Sequence, residues 1–372
     1  SRGLGVVFKI QIEALHCVVD FAGKAPKALY YLGNLWYDKR RYPTAIAAWE
    51  RSSREDETFP TVWRNLSLAY FNKMNRPDEA VALLEKAFRL DHTDARVLME
   101  LDQLYKRLNR PHIERLCFLE QHIDIVMTRD DLYLEYVTLL NQTGQYREAI
   151  RRIDQRKFHP WEGGEGKVPA QYQLARLELA KELINRKKYD DALALIDECY
   201  IYPTHLGEGK LPGAQENDFN YYKAYILQQQ GRPEEAHSLF VKACSGNSQP
   251  AAAMYYNDQK PDKIFYQGLA YRKLGEEEKA RSRFNQLITY GEEHLFDRFK
   301  MDYFAVSLPD LLIWEDDMDK KNRIHCNYLM ALGHLGLGNR TKAEHFFDIA
   351  ASMDNNHQGV QIHRKLMNTI LS

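Results

Sequence analysis

The chain has almost no net charge. Its 51 Lys and Arg against 52 Asp and Glu leave a formal charge of -1 over 372 residues, which removes the long-range attraction that nucleic acids and anionic membranes exert on basic proteins. Neither is expected as a partner. Long apolar runs are missing too: Val6 to Ile12 is broken by Lys9 and Gln11, and nothing approaches the roughly 18 residues of a membrane span or a signal-peptide core. A cytoplasmic location is expected. The five cysteines (Cys17, Cys117, Cys199, Cys244, Cys326) are odd in number and far apart, with no Cys-x-x-Cys pair. That excludes a disulfide framework and a structural zinc site, and predicts reduced, mostly buried thiols. The 13 histidines show no His-Glu-x-x-His or similar spacing, so no metal is expected. Nucleophile elbow, Ser-x-x-Lys and dinucleotide fingerprint are all absent, so no cofactor is expected and no catalysis is assigned to this chain on its own. It opens on Ser1-Arg2-Gly3 rather than Met, which reads as a processed product or an excised fragment.

What is present is repetition. Leu32-Gly33, Trp36, Ala45 and Trp49, with a turn at Arg40-Arg41-Tyr42, form the clearest unit. Trp63, Leu66, Tyr70, Ala80 and Ala87 repeat it, and Leu98, Leu101, Tyr105 and Phe118 form a weaker third copy with Glu114 in place of the alanine. The alanine then recurs at Ala149, Ala192, Ala236, Ala280 and Ala343, each between apolar residues at helical spacing. A small residue on a first helix and an alanine early on a second mark where two antiparallel helices approach closest. The pattern resembles the tetratricopeptide repeat. The resemblance implies an all-α, right-handed superhelical solenoid of about eight helix-turn-helix repeats. Compact repeats are expected over 26–157, and repeats with long insertions (158–171, 201–217, 245–261, 290–322) over 158–356, the insertions lying along one edge. Residues 1–25 read as the second helix of a truncated preceding repeat, and 357–372 as a C-terminal capping helix, with Ile362, Leu366 and Ile370 four apart.

Two insertions are near copies: Pro160-Trp-Glu-Gly-Gly-Glu-Gly-Lys-Val-Pro169 and Pro203-Thr-His-Leu-Gly-Glu-Gly-Lys-Leu-Pro212. Glycines followed by Lys suggest a phosphate loop, but Trp161 and Thr204 stand where its first Gly belongs, and Val168 or Leu211 follows the Lys where Ser or Thr is required. Turn formation is the bland reading of these residues. The functional reading places His159, Trp161, Glu165 and Lys167 beside His205, Glu208 and Lys210 in one polar, aromatic cleft. Tyr255, Tyr256 and Asp258 from the next insertion, and Tyr303, Asp310 and Trp314 from the last, would extend it. Aromatic faces beside carboxylates suit sugar rings, so the alternative is that these loops form part of a glycan-binding or glycoside-processing site completed by an N-terminal domain. A peptide would instead lie in the concave groove, where Asn34, Asn65 and Arg96 match three positions of a two-carboxylate clamp. Tyr30 and Glu100 replace two of its basic residues, which weakens carboxylate binding.

The stretches 31–42, 158–167, 206–210, 255–258 and 302–310 resemble the C-terminal half of large bacterial proteins. In those, a tetratricopeptide array follows an N-terminal β-rich region similar to galactose-mutarotase-like sandwiches. The resemblance implies a non-catalytic interaction and scaffolding region that meets a protein or peptide partner, its own N-terminal domain or a second copy of itself.

Overall fold

The computed structural model describes residues 13–15, 17, 19, 24–252, 258–298 and 313–367. Among them every regular element is helical. The chain forms two compact units. One ends at Arg110 and also takes in 313–316; the other begins at Pro111 and resumes at Asp317.

In the first unit α1 (Pro26–Asp38) pairs with α2 (Tyr42–Glu55), α3 (Pro60–Met74) pairs with α4 (Pro77–Leu90), and α5 (Ala95–Arg107) packs on α4. Prolines fill the first turn of α1 to α4, where no N–H is needed. The Asp94 carboxylate caps α5 by accepting from the N–H groups of Arg96 (2.9 Å) and Val97 (3.1 Å). The second unit starts with α6 (His112–Gln121) and a single turn, α7 (Ile123–Val126). Five hairpins follow. They are α8 (Asp130–Gln142) with α9 (Tyr146–Asp154), α10 (Lys167–Asn185) with α11 (Tyr189–Cys199), α12 (Asn217–Gln229) with α13 (Pro233–Ala243), α14 (Pro261–Lys273) with α15 (Glu277–His294), and α16 (Met318–Gly336) with α17 (Arg340–Met353). A last helix, α18 (Gln358–Leu366), completes it.

The repeat register is visible in the backbone. Five residues ahead of each second-helix alanine position the chain turns left-handed: Arg40 before Ala45, Asn75 before Ala80, Asn109 before Glu114, Gly144 before Ala149, Lys187 before Ala192, Gly231 before Ala236, Gly275 before Ala280 and Gly338 before Ala343. All seven alanines are buried. Glu114 holds the same register but is exposed, and α6 instead buries Leu116 and the whole Arg115 side chain. A carboxylate at the closest approach would be desolvated without a partner. Arg115 is paid for by hydrogen bonds to Glu135 (2.8 Å) and Asn356 (2.7 Å).

One apolar core runs through the second unit from Tyr146 to Leu366, each fully buried Leu or Phe contributing about 1.5–3 kcal/mol. The C-terminal helix does more than cover the end of α17. Gln358 shares hydrogen bonds with Gln171 of α10 (2.8 Å), Lys365 donates to the Tyr146 hydroxyl of α9 (3.2 Å), and the Asn356 carbonyl before it accepts from Gln142 of α8 (2.9 Å). Of the thiols, Cys199 and Cys326 are buried, Cys244 is half-buried, and Cys17 and Cys117 are exposed, so burial is less general than expected. No helix of the described residues is long and apolar enough to cross a membrane.

Candidate functional site

Side chains on α1, α3 and α5 form a hydrogen-bonded ladder in the first unit. Asn34 Oδ1 accepts from Trp49 Nε1 (3.1 Å) and from Asn65 Nδ2 (2.9 Å), and Asn65 Oδ1 accepts from Arg64 (3.1 Å). The same guanidinium grips Glu100 through Nε and Nη2, both at 2.6 Å, and Arg96 adds a third contact at 2.9 Å. Glu100 is fully buried. The expected groove residues Asn34, Asn65 and Arg96 thus belong to one network, and the carboxylate that Arg64 and Arg96 hold in it is internal. A buried carboxylate between two guanidiniums is a strong charge-assisted arrangement; Arg96 joins it through Nε while its side chain stays largely exposed.

Against this ladder lies a short piece of the last insertion. Trp314, expected to face a ligand, is buried at 2% exposure: its Nε1 donates to the Glu100 carbonyl (3.1 Å) and its ring meets Phe71 edge-on at 5.2 Å. Asn72 brackets the backbone around it, Nδ2 donating to the Ile313 carbonyl (2.8 Å) and Oδ1 accepting from the Glu315 N–H (2.9 Å). Arg107 donates to the Trp314 carbonyl (3.2 Å) and to Asp316 (2.9 Å), and Lys73 pairs with Glu315. Sequence reading passed over Asn72 and Arg107. Each stands seven residues beyond a recognised groove position, Asn65 and Glu100, and seven residues return a helix to the same face.

The near-copy loops touch each other in the second unit. The Phe158 N–H donates to the His205 carbonyl (2.8 Å), and the Gly166 N–H donates to the Glu208 carboxylate (2.7 Å). Gly207 is left-handed, and a Cβ there would stand 2.7 Å from the Phe158 carbonyl oxygen, so the contact requires glycine. Its sequence counterpart Gly164 is not left-handed; it leaves room for the Trp161 indole. The loops are copies in sequence but not in conformation, because one packs upon the other.

Their contact encloses a pocket of about 270 Å³ lined by His159, Pro160, Trp161, Glu162, Gly164, Glu165, Val168, Leu206 and Glu208. Of the expected cleft residues, His159, Trp161, Glu165 and Glu208 line it. The others do not. Lys167 begins α10, and Lys210 pairs with Glu216 and donates to the Tyr200 carbonyl (3.0 Å). His205 lies 3.8 Å from Asp154 and meets the Tyr172 ring edge-on. Asp258 does not line this pocket, while Tyr255, Tyr256, Tyr303 and Asp310 lie outside the described residues. His159 is anchored by Asp130, which accepts from its N–H at 2.9 Å and lies 3.1 Å from Nδ1. Partial burial opposes ionisation of Asp130, but that N–H and the Arg156 guanidinium outweigh it and hold the carboxyl below its usual pKa. Among the described residues no group of three His, Cys, Asp or Glu could hold a metal.

The fold is an all-α array of helix-turn-helix hairpins in constant register. Within it, residues 60–94 and 264–290 match family models of the tetratricopeptide repeat, so the chain carries such repeats. Similar solved structures include YrrB, described as a TPR protein with an unusual peptide-binding site (15% identity, 50% of this chain and 91% of that one, TM-score 0.38). A tetratricopeptide repeat protein from Parabacteroides merdae covers 70% of this chain and 91% of its own at 12% identity and a TM-score of 0.39. A structure of Naa15/Naa10 bound to HypK-THB matches 97% of this chain over 64% of that one at 13% identity and a TM-score of 0.44. Likeness of this degree transfers no ligand or partner to this chain.

Proposed function

We propose that this chain is a non-catalytic protein-interaction region that grips non-helical polypeptide on the α3–α5 face of its first unit. The partner is another protein, an upstream region of its own polypeptide or a second copy. One observation carries the reading: Asn72 and Arg107 hold main-chain groups of a non-helical segment, which is how a surface binds a peptide without depending on each of its side chains. Selection of displayed peptides on the immobilised chain tests it. Enriched peptides are expected to lose about tenfold or more in affinity on an Asn72→Ala/Arg107→Ala variant, as removal of charge-assisted and backbone hydrogen bonds implies. Failure to enrich any peptide, or enrichment indifferent to the pair, refutes the reading.

A second reading is a glycan site, favoured by Trp161, Glu165 and Glu208 lining one pocket. An indole face beside carboxylates offers stacking and hydroxyl recognition together. Glycan-array binding that disappears in Trp161→Ala and Glu165→Gln supports it, and binding unchanged in both removes the pocket from consideration.

A further inference from the structure

Residues 313–316 meet the α3–α5 face as a bound ligand would. Side chains of two helices bond the segment's main chain at three successive residues: the Ile313 carbonyl and Glu315 N–H to Asn72, and the Trp314 carbonyl to Arg107. One large side chain, Trp314, fills an interior site against Phe71 and the Glu100 carbonyl, from which it is 214 residues distant in sequence. The two acidic residues after it meet the two cations at the rim, Glu315 with Lys73 and Asp316 with Arg107. Backbone reading, a buried aromatic anchor and matched charge at the edge are the three components of peptide recognition.

We propose that residues 313–316 are an internal stand-in for a ligand. The α3–α5 face then takes, from a partner, a non-helical segment in which an apolar residue and a tryptophan precede two acidic residues, and the chain's own segment competes for the same place. This rests on the protein-interaction reading and adds the ligand's chemistry and its control. Binding from outside must displace the internal copy, so the apparent affinity is reduced by the fraction of molecules in which that copy is bound.

The probe is a labelled synthetic peptide, Leu-Leu-Ile-Trp-Glu-Asp-Asp, reproducing residues 311–317, titrated into the whole chain by fluorescence anisotropy. Trp314→Ala removes the internal anchor. Glu315→Lys/Asp316→Lys breaks only the rim pairs and leaves the interior intact, so it serves should the first variant fold poorly; circular dichroism checks both. Each is expected to bind the peptide about tenfold or more tighter than the unaltered chain, the release of a competing intramolecular contact. Adding Asn72→Ala and Arg107→Ala to either is expected to abolish the gain. A folded Glu315→Lys/Asp316→Lys variant that binds no better than the unaltered chain overturns the proposal, as does a gain that survives loss of Asn72 and Arg107. If displayed peptides are enriched in an Asn72-dependent way while this peptide never binds, the internal stand-in is wrong and the interaction reading stands. If neither binds, both fall.

Discussion

Single positions in this chain are decided by how closely two helices pass. Phe284 is fully buried, and a Cβ on either Gly268 of α14 or Gly336 of α16 would sit within its ring. A Gly268→Ala substitution is therefore expected to destabilise the protein by about 1–3 kcal/mol through overpacking. Urea denaturation measures this, and Phe284→Leu in the same chain should recover part of the loss, since neighbouring changes couple. Conversely, Lys187 takes the left-handed turn that glycine takes in four other repeats (φ 58°) and is exposed there. The left-handed conformation costs a residue with a Cβ roughly 1–2 kcal/mol, and glycine gives some of this back in unfolded-state entropy. Lys187→Gly should consequently raise stability by about 0.5–1 kcal/mol; an unchanged or lower denaturation midpoint counts against that account. The glycine positions were legible as repeat punctuation. Their partners were not, because the ring that fills a gap comes from the other helix of the hairpin or from the preceding repeat.

At the scale of elements, α18 shows what periodicity can and cannot tell. Of the expected stripe Leu366 is buried, Ile362 is half-buried and Ile370 lies outside the described residues; the helix buries Val360 and His363 instead. Nδ1 of that histidine lies 3.0 Å from the Tyr328 hydroxyl of α16 and 2.8 Å from the Gly359 carbonyl, with the rings of Phe265 and Tyr266 of α14 around it. Burial pushes its pKa down to about 4, helped by the Lys181 cation and opposed by smaller influences from Asp262, the Gly359 carbonyl and Glu178. The sign follows from linkage. Above about pH 6.5 the ring is neutral in both states; below it the unfolded chain takes up a proton that the native site refuses until about pH 4. Stability contributed by this site is therefore lost as pH falls from about 6.5 towards 4, by roughly 3 kcal/mol at most, and no further below that. His363→Gln should flatten that part of the stability–pH curve; a slope identical to that of the unaltered chain excludes the assignment. The near-copy loops carry a similar lesson. Their sequences call for equal structures, but contact between them makes Gly207 left-handed and leaves Gly164 otherwise.

For the molecule as a whole, the amino-acid sequence by itself determined the fold class, most of the helix pairs and the register. All three are local: an alanine and its turn lie five residues apart, and two helices of a hairpin meet across a few residues of loop. Glu114 departs from the alanine pattern in the sequence, but its exposure and the burial of Arg115 were not readable from spacing. Tertiary structure alone decided where the insertions went. It brought His159, Trp161, Glu165 and Glu208 to one pocket while directing Lys210 to Glu216 and burying Trp314 under Glu100. It also joined Asn356 to Arg115 and Lys365 to Tyr146, residues 241 and 219 apart in the chain. A repeat pattern specifies contacts between neighbours, because each hairpin buries its apolar face against the next. Contacts between side chains hundreds of residues apart depend on how many small inter-repeat rotations accumulate, and no periodicity in the sequence encodes that sum.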